Sequence, residues 1–138
     1  MNPPARALTS IGIAAIAFAF GLFVGHAAPA GADSPDRRLI VQNVYYPKDG
    51  LEDEVLATRL EASAVRRELG LEAGRVLRRV DGAEGGPYVM WEAEYGSQAA
   101  RLTDVAALDG TDFDAVASHM GTLLDRFGRT VWEVVDEP

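Results

Sequence analysis

The sequence contains no cysteine. Disulfide frameworks, thiol nucleophiles and thiolate metal sites are therefore excluded together. Histidine is almost as scarce, with two in 138 residues, and only His119 lies beyond the first thirty-odd positions. One imidazole cannot build a His-based zinc site, and no H-E-x-x-H, G-x-S-x-G or phosphate-cradling glycine loop is present. Basic charge is also in deficit, with 13 Lys+Arg against 21 Asp+Glu and a net charge of -8. That balance argues against nucleic acid as a partner, because affinity for a phosphate backbone comes mainly from clustered Lys and Arg. What is there, at 48% hydrophobic and 25% charged, is the composition of one globular domain.

The first segment is of a different material from the rest. Arg6 is the sole charged side chain before Asp33, and Ile11 to Val24 is apolar throughout. A basic residue, a short apolar run and the small-residue triplets Ala28-Pro-Ala30 and Ala30-Gly-Ala32 make a secretory signal. Cleavage after Ala32 is preferred, since Pro29 would disturb extended binding of the first triplet to a peptidase. The expected organisation is a signal peptide over 1–32, a short lead-in over 33–38 and one domain over 39–138. The destination is exported, periplasmic or secreted. The alternative is an uncleaved anchor, because the uncharged stretch from Ala7 to Ala32 is long enough to cross a bilayer, with the domain still outside the cytoplasm.

Beyond residue 38 the pattern predicts strand, helix, strand, strand, helix, strand. Leu39–Tyr46 is β-branched and aromatic and stops at Pro47. Asp49 and Glu52 have capping-box spacing and open a helix that Gly70 closes, with Leu51, Val55, Thr58, Ala62, Val65 and Leu69 as its buried stripe and Leu56 and Leu60 opposite. Arg75–Val80 and Tyr88–Tyr95 form a hairpin, in which Arg75, Arg78 and Arg79 are expected to pair with Glu92 and Glu94. A role for these arginines in holding an anionic ligand stays open. Ser97 can cap a short helix to about Ala107. Thr111 and Asp114 then open a second helix with the stripe Phe113, Val116, Ala117, Met120, Leu123, Leu124 and Phe127, closed by Gly128. Asp109, Asp112 and Asp114 suit that helix start better than a calcium loop. Thr130–Val135 is the last strand.

This βαββαβ order is α+β and ferredoxin-like: a four-stranded antiparallel sheet with the helices on one face. The opposite face would carry Val, Tyr, Met and Trp, too apolar to face water, and its simplest cover is the same sheet of a second copy in a face-to-face homodimer. Residues 38–137 resemble the dimeric α/β-barrel superfamily, which includes antibiotic-biosynthesis-type monooxygenases, haem-degrading monooxygenases and stress-responsive barrel proteins. The resemblance is carried by element order, the apolar first strand, Trp91-Glu-Ala-Glu-Tyr95 leading into Ser97-Gln-Ala-Ala, and a last helix bearing His119. It implies fold more strongly than activity.

The haem-degrading members use an Asn on the first strand, a Trp on the third and a His on a later helix. Through the resemblance, Asn43, Trp91 and His119 become candidate catalytic residues, with Tyr45 and Tyr95 as candidate ligand contacts. Each also has a structural reading. His119 falls at the margin of its helix's stripe, which favours a boundary residue hydrogen-bonded to Asp112 or water. Trp91 and Trp132 suit core or dimer-seam packing. Asn43 among apolar neighbours needs partners for its amide. The favoured expectation is an exported homodimeric binding or structural module with no cofactor and a small apolar or aromatic ligand. The alternative is a small cofactor-free or haem-handling monooxygenase working in the sheet–helix cleft. Membrane contact is expected only if the N-terminal segment stays attached. A cavity between Asn43, Tyr45, Trp91 and His119 would favour the enzyme.

Overall fold

The computed structural model describes residues 37–82 and 85–135. The signal segment, its cleavage triplets and most of the 33–38 lead-in lie outside the described residues. In chain order the elements are β1 (Leu39–Pro47), α1 (Glu52–Glu68), β2 (Arg75–Arg78), β3 (Val89–Tyr95), α2 (Gln98–Ala106), α3 (Phe113–Leu123) and β4 (Leu124–Glu133). The strands form one antiparallel sheet in the order β2-β3-β1-β4. This is the ferredoxin-like arrangement.

Alternation along the strands decides what lies on each face. Val41, Asn43 and Tyr45 of β1 pair with Ala93, Trp91 and Val89 of β3, and all six are buried. Val55 of α1 and Met120 and Leu123 of α3 join them in the core, so the helices cover this face. The other face shows Ile40, Val44 and Met90, each half-buried, beside the exposed Leu77 and Trp132.

Several boundaries differ from those the sequence suggests. Asp49 does not cap α1: Lys48-Asp49-Gly50 is a turn, closed by Leu51 N donating to the Lys48 carbonyl at 3.0 Å, and no side chain caps the helix. The buried face of α1 comprises Val55, Thr58, Arg59, Ala62, Ser63 and Arg66. It is rotated from the expected stripe, leaving Leu69 exposed and Leu56 packed against the core. At α3 the expected capping box is displaced by one residue. Thr111 Oγ1 accepts from Phe113 N at 3.3 Å, and Asp114 Oδ2 accepts from Gly110 N at 2.9 Å. The largest correction is at its far end. Leu124 to Gly128 are strand rather than helix, because Tyr45 pairs with Phe127 and Val44 with Gly128, and this ladder outweighs the helical spacing. The hairpin charges are likewise redistributed. Arg75 pairs with Glu92, but Arg79 bonds Asp81, Arg38 reaches Glu94, and Arg78 lies opposite Val89. Ser97 caps α2 as expected, accepting from Ala100 N at 3.1 Å.

Candidate functional site

The buried face of α1 carries two arginines seven residues apart, which on a helix places both over the same strip of sheet. Arg59 and Arg66 are each 4% exposed, and both guanidinium carbons lie 5.2 Å from the centre of the Trp91 ring. Trp91 is fixed from below, where its indole N–H donates to the Ala73 carbonyl at 2.7 Å.

The two cations are treated differently. Arg66 has a carboxylate: its Nη2 pairs closely with Asp104 of α2 and donates to Tyr95 Oη at 3.0 Å, while its Nε donates to the Glu72 carbonyl at 2.5 Å. Tyr95 Oη in turn donates to Asp104 Oδ2 at 3.0 Å, and burial first, with Asp104 adding to it, pushes the phenol up to about 12. Arg59 has only neutral partners. It donates to Tyr45 Oη at 3.2 Å and Ser63 Oγ at 3.1 Å, and its buried Nε has no hydrogen-bond partner. Burial is the main cause that holds its pKa below the ordinary guanidinium value.

Beyond these residues a cavity of about 130 Å³ opens between the sheet, α2 and α3. Val41, Asn43, Trp91 and Tyr95 form its floor. Apolar walls come from Val105, Leu108, Phe113 and Ala117, and Arg101 and Arg129 stand at the cavity with Arg59 and Arg66. Asp109 and Asp114 are the carboxylates in the lining. Arg129 Nε donates to Asn43 Oδ1 at 2.8 Å, which answers the need of the buried amide for a partner. Burial first, then the nearby Arg101, lowers the pKa of Arg129.

Of the sequence candidates, Asn43, Trp91 and Tyr95 meet at this cavity. Tyr45 lies one layer away, bonded to Arg59 and edge-on to Phe127 with ring centres 5.3 Å apart. His119 is elsewhere. It is half-exposed on α3 with Nε2 3.2 Å from Glu54 Oε1 of α1, so its partner is Glu54 rather than Asp112. Among the described residues no imidazole lines the cleft, and those present do not fit a haem with His119 as its axial ligand. Among the described residues no cluster of His, Asp and Glu could hold a metal ion, and no helix is long and apolar enough to cross a membrane. Arg59, Arg66, Arg101 and Arg129 are the site residues that motif reasoning passed over. Arg59 and Arg66 fall on one stripe with Val55 and Ala62, and two cations on an otherwise buried stripe are a legible signal.

Neither protein-family models nor curated proteins match this sequence. Solved structures do. A dimeric protein of unknown function and ferredoxin-like fold from Bacteroides fragilis aligns at TM-score 0.57 and 10% identity, over 70% of this chain and 96% of that one. A NIPSNAP family protein from Agrobacterium tumefaciens gives 0.58 and 16%, over 73% and 89%. SnoaB, a cofactor-independent oxygenase from Streptomyces nogalater, gives 0.53 and 17%, over 74% and 96%. At these identities the likeness establishes the shared fold, on which unrelated activities are built.

Proposed function

We propose that this protein is an exported, homodimeric small-molecule-binding module whose ligand occupies the cleft between the sheet and α2–α3. The observation that carries this is the cavity itself. Protein interiors close-pack to crystal-like density, so a space of about 130 Å³ with convergent polar groups and aromatic walls is not what a purely structural core would retain. A cavity of roughly 150 Å³ accommodates benzene, which sets the scale of the group that enters. Two arginines over Trp91 and the Asp104–Tyr95 clamp hold the walls before any ligand arrives.

Export is supported by Arg6, the apolar run and Ala30-Gly-Ala32. Homodimerisation is supported by the apolar outer sheet face and by fold neighbours described as dimeric. A second reading, cofactor-free oxygenation in the same cleft, draws on Asn43 and Trp91 in its lining and on the fold shared with SnoaB.

One preparation tests these statements together: the exported protein, with its native mass, N-terminal sequence and absorption spectrum recorded. The expected result is a dimer beginning at Asp33 or Gly31, with no Soret band and a co-purified or exchangeable small molecule. An intact Met1 form in membranes would show an anchor. A haem spectrum that His119→Ala abolishes would move the protein to the haem enzymes.

A further inference from the structure

We infer that the ligand of this cleft is an organic anion, a compact carboxylic acid with one ring or a similar apolar body. This rests on the reading of the cleft as a ligand site and adds the chemical class of its occupant.

The argument begins with charge. In a chain whose net charge is -8, four arginines converge on one cavity. Arg66 is paired with Asp104, but no carboxylate bonds Arg59, Arg101 or Arg129 among the described residues. The lining acids do not offset them fully: Asp109 and Asp114 stand against four cations, and Asp114 is already engaged at the start of α3. Cations held close together and partly desolvated repel each other and lose hydration, and an anion delivered among them reverses both costs. Burial first, and a neighbouring arginine after it, lowers the pKa values of Arg59 and Arg129.

Hydrogen bonding gives a second, independent line. Arg59 is 4% exposed and its Nε has no partner. A buried donor left unpaired is costly in a finished core. A guanidinium presents a planar fork suited to a carboxylate, and Arg101 and Arg129 line the cavity with no carboxylate partner among the described residues.

The remaining walls decide which anion. Val105, Leu108, Phe113 and Ala117 offer nothing to the outer oxygens of a phosphate or sulfate, whereas they suit a ring or branched chain. The small cavity limits that body to about one ring, by comparison with the benzene-sized space of roughly 150 Å³. A monocarboxylate with an apolar body satisfies both halves of the site.

The test is calorimetric titration of the exported protein with benzoate, with its neutral isostere benzamide, and with inorganic phosphate. Benzoate is expected to bind at least about tenfold more tightly than benzamide, a difference of about 1.4 kcal/mol, and phosphate is not expected to compete. Arg101→Gln is the first variant, since among the described residues the Arg101 side chain makes no hydrogen bond that its loss would break; Arg129→Gln is the second. Each should weaken benzoate about tenfold relative to benzamide; Arg101→Gln should also leave the melting temperature unaltered, whereas Arg129→Gln removes a bond to the buried Asn43 and is compared by its benzoate-to-benzamide ratio. Equal binding of benzoate and benzamide would overturn the anion inference and leave the cleft as a ligand site. Binding of neither at millimolar concentration would overturn both. Phosphate displacing benzoate would replace the organic acid with an inorganic anion and overturn the apolar half of the inference.

Discussion

At Gly74 the backbone has φ +63°, and a Cβ there would lie 2.3 Å from Trp91 Nε1 and 2.6 Å from the Glu92 carbonyl oxygen. Both the conformation and the space call for glycine. The same tight approach sets the Ala73 carbonyl against the Trp91 indole, so one residue's missing side chain positions the floor of the cleft. Gly74→Ala should destabilise by at least the roughly 1–3 kcal/mol of a strained backbone, with steric displacement of Trp91 added. Urea unfolding followed by tryptophan fluorescence measures this, and a change below about 0.5 kcal/mol would show that the loop gives way freely. Tyr95 makes a second prediction at this scale. Burial raises its phenol to about 12 from 10.0, so the folded state favours the neutral form. Its contribution to stability is complete below the unfolded-state value near 10 and is lost as pH climbs towards 12. In an alkaline absorbance titration Tyr95 should contribute a step near pH 12. Tyr95→Phe should remove that step, and its persistence in the variant would reassign it.

Between elements, Asp104 is the tie that joins α2 to the rest. No residue of α2 is fully buried, and Leu102 and Val105 are exposed, so apolar packing alone holds this helix weakly. Asp104 accepts from Arg66 of α1, Tyr95 of β3 and the Glu72 backbone N–H. Asp104→Ala leaves Arg66 buried without its counter-charge, a loss of about 3–5 kcal/mol. Asp104→Asn, which can still accept hydrogen bonds, should cost less; equal costs would mean that charge is not what the tie supplies. The contrast between α2 and the other elements also explains what the sequence discloses. Ser97 could be read as a cap because capping is settled within four residues. The buried face of β3 was legible because strand alternation is local, whereas β1 is apolar on both faces and its buried side is settled by pairing and packing. Leu124–Gly128 was not legible, since those residues continue a helical stripe and become strand only by pairing with residues some eighty positions earlier. The cleft was half legible: Asn43, Trp91 and Tyr95 stand out by residue type. Arg59 and Arg66 share the stripe of Val55 and Ala62, which is the signal that could have found them, but their place over Trp91 is set only by tertiary packing.

For the whole molecule, the decisive surface is the sheet face away from the helices. Ile40, Val44, Met90, Leu77 and Trp132 are set there by strand alternation, in an area too apolar to be left to water without consequence. Its polar groups are unusual in satisfying one another. Trp132 Nε1 donates to Gln42 Oε1 at 2.8 Å, Gln42 Nε2 donates to Glu92 Oε2 at 2.7 Å, and Arg75 pairs with the other Glu92 oxygen. The chain of bonds runs across all four strands, and it holds the Glu92 carboxyl below the usual range, Gln42 first and Arg75 second among the causes. Groups bonded in this way can be withdrawn from water without being orphaned, so a second sheet can dock on them at small polar cost. The charged pair Arg38–Glu94 remains solvated, as a rim would. In a face-to-face dimer, Met90→Arg would bury an unpaired cation in the sheet seam. Sedimentation equilibrium at micromolar concentration should give twice the monomer mass for the parent and the monomer mass for Met90→Arg. The parent's melting temperature should rise with protein concentration, as it does when folding and association are linked. A parent that sediments as a monomer, or a Met90→Arg variant that stays dimeric, would remove this face as the interface.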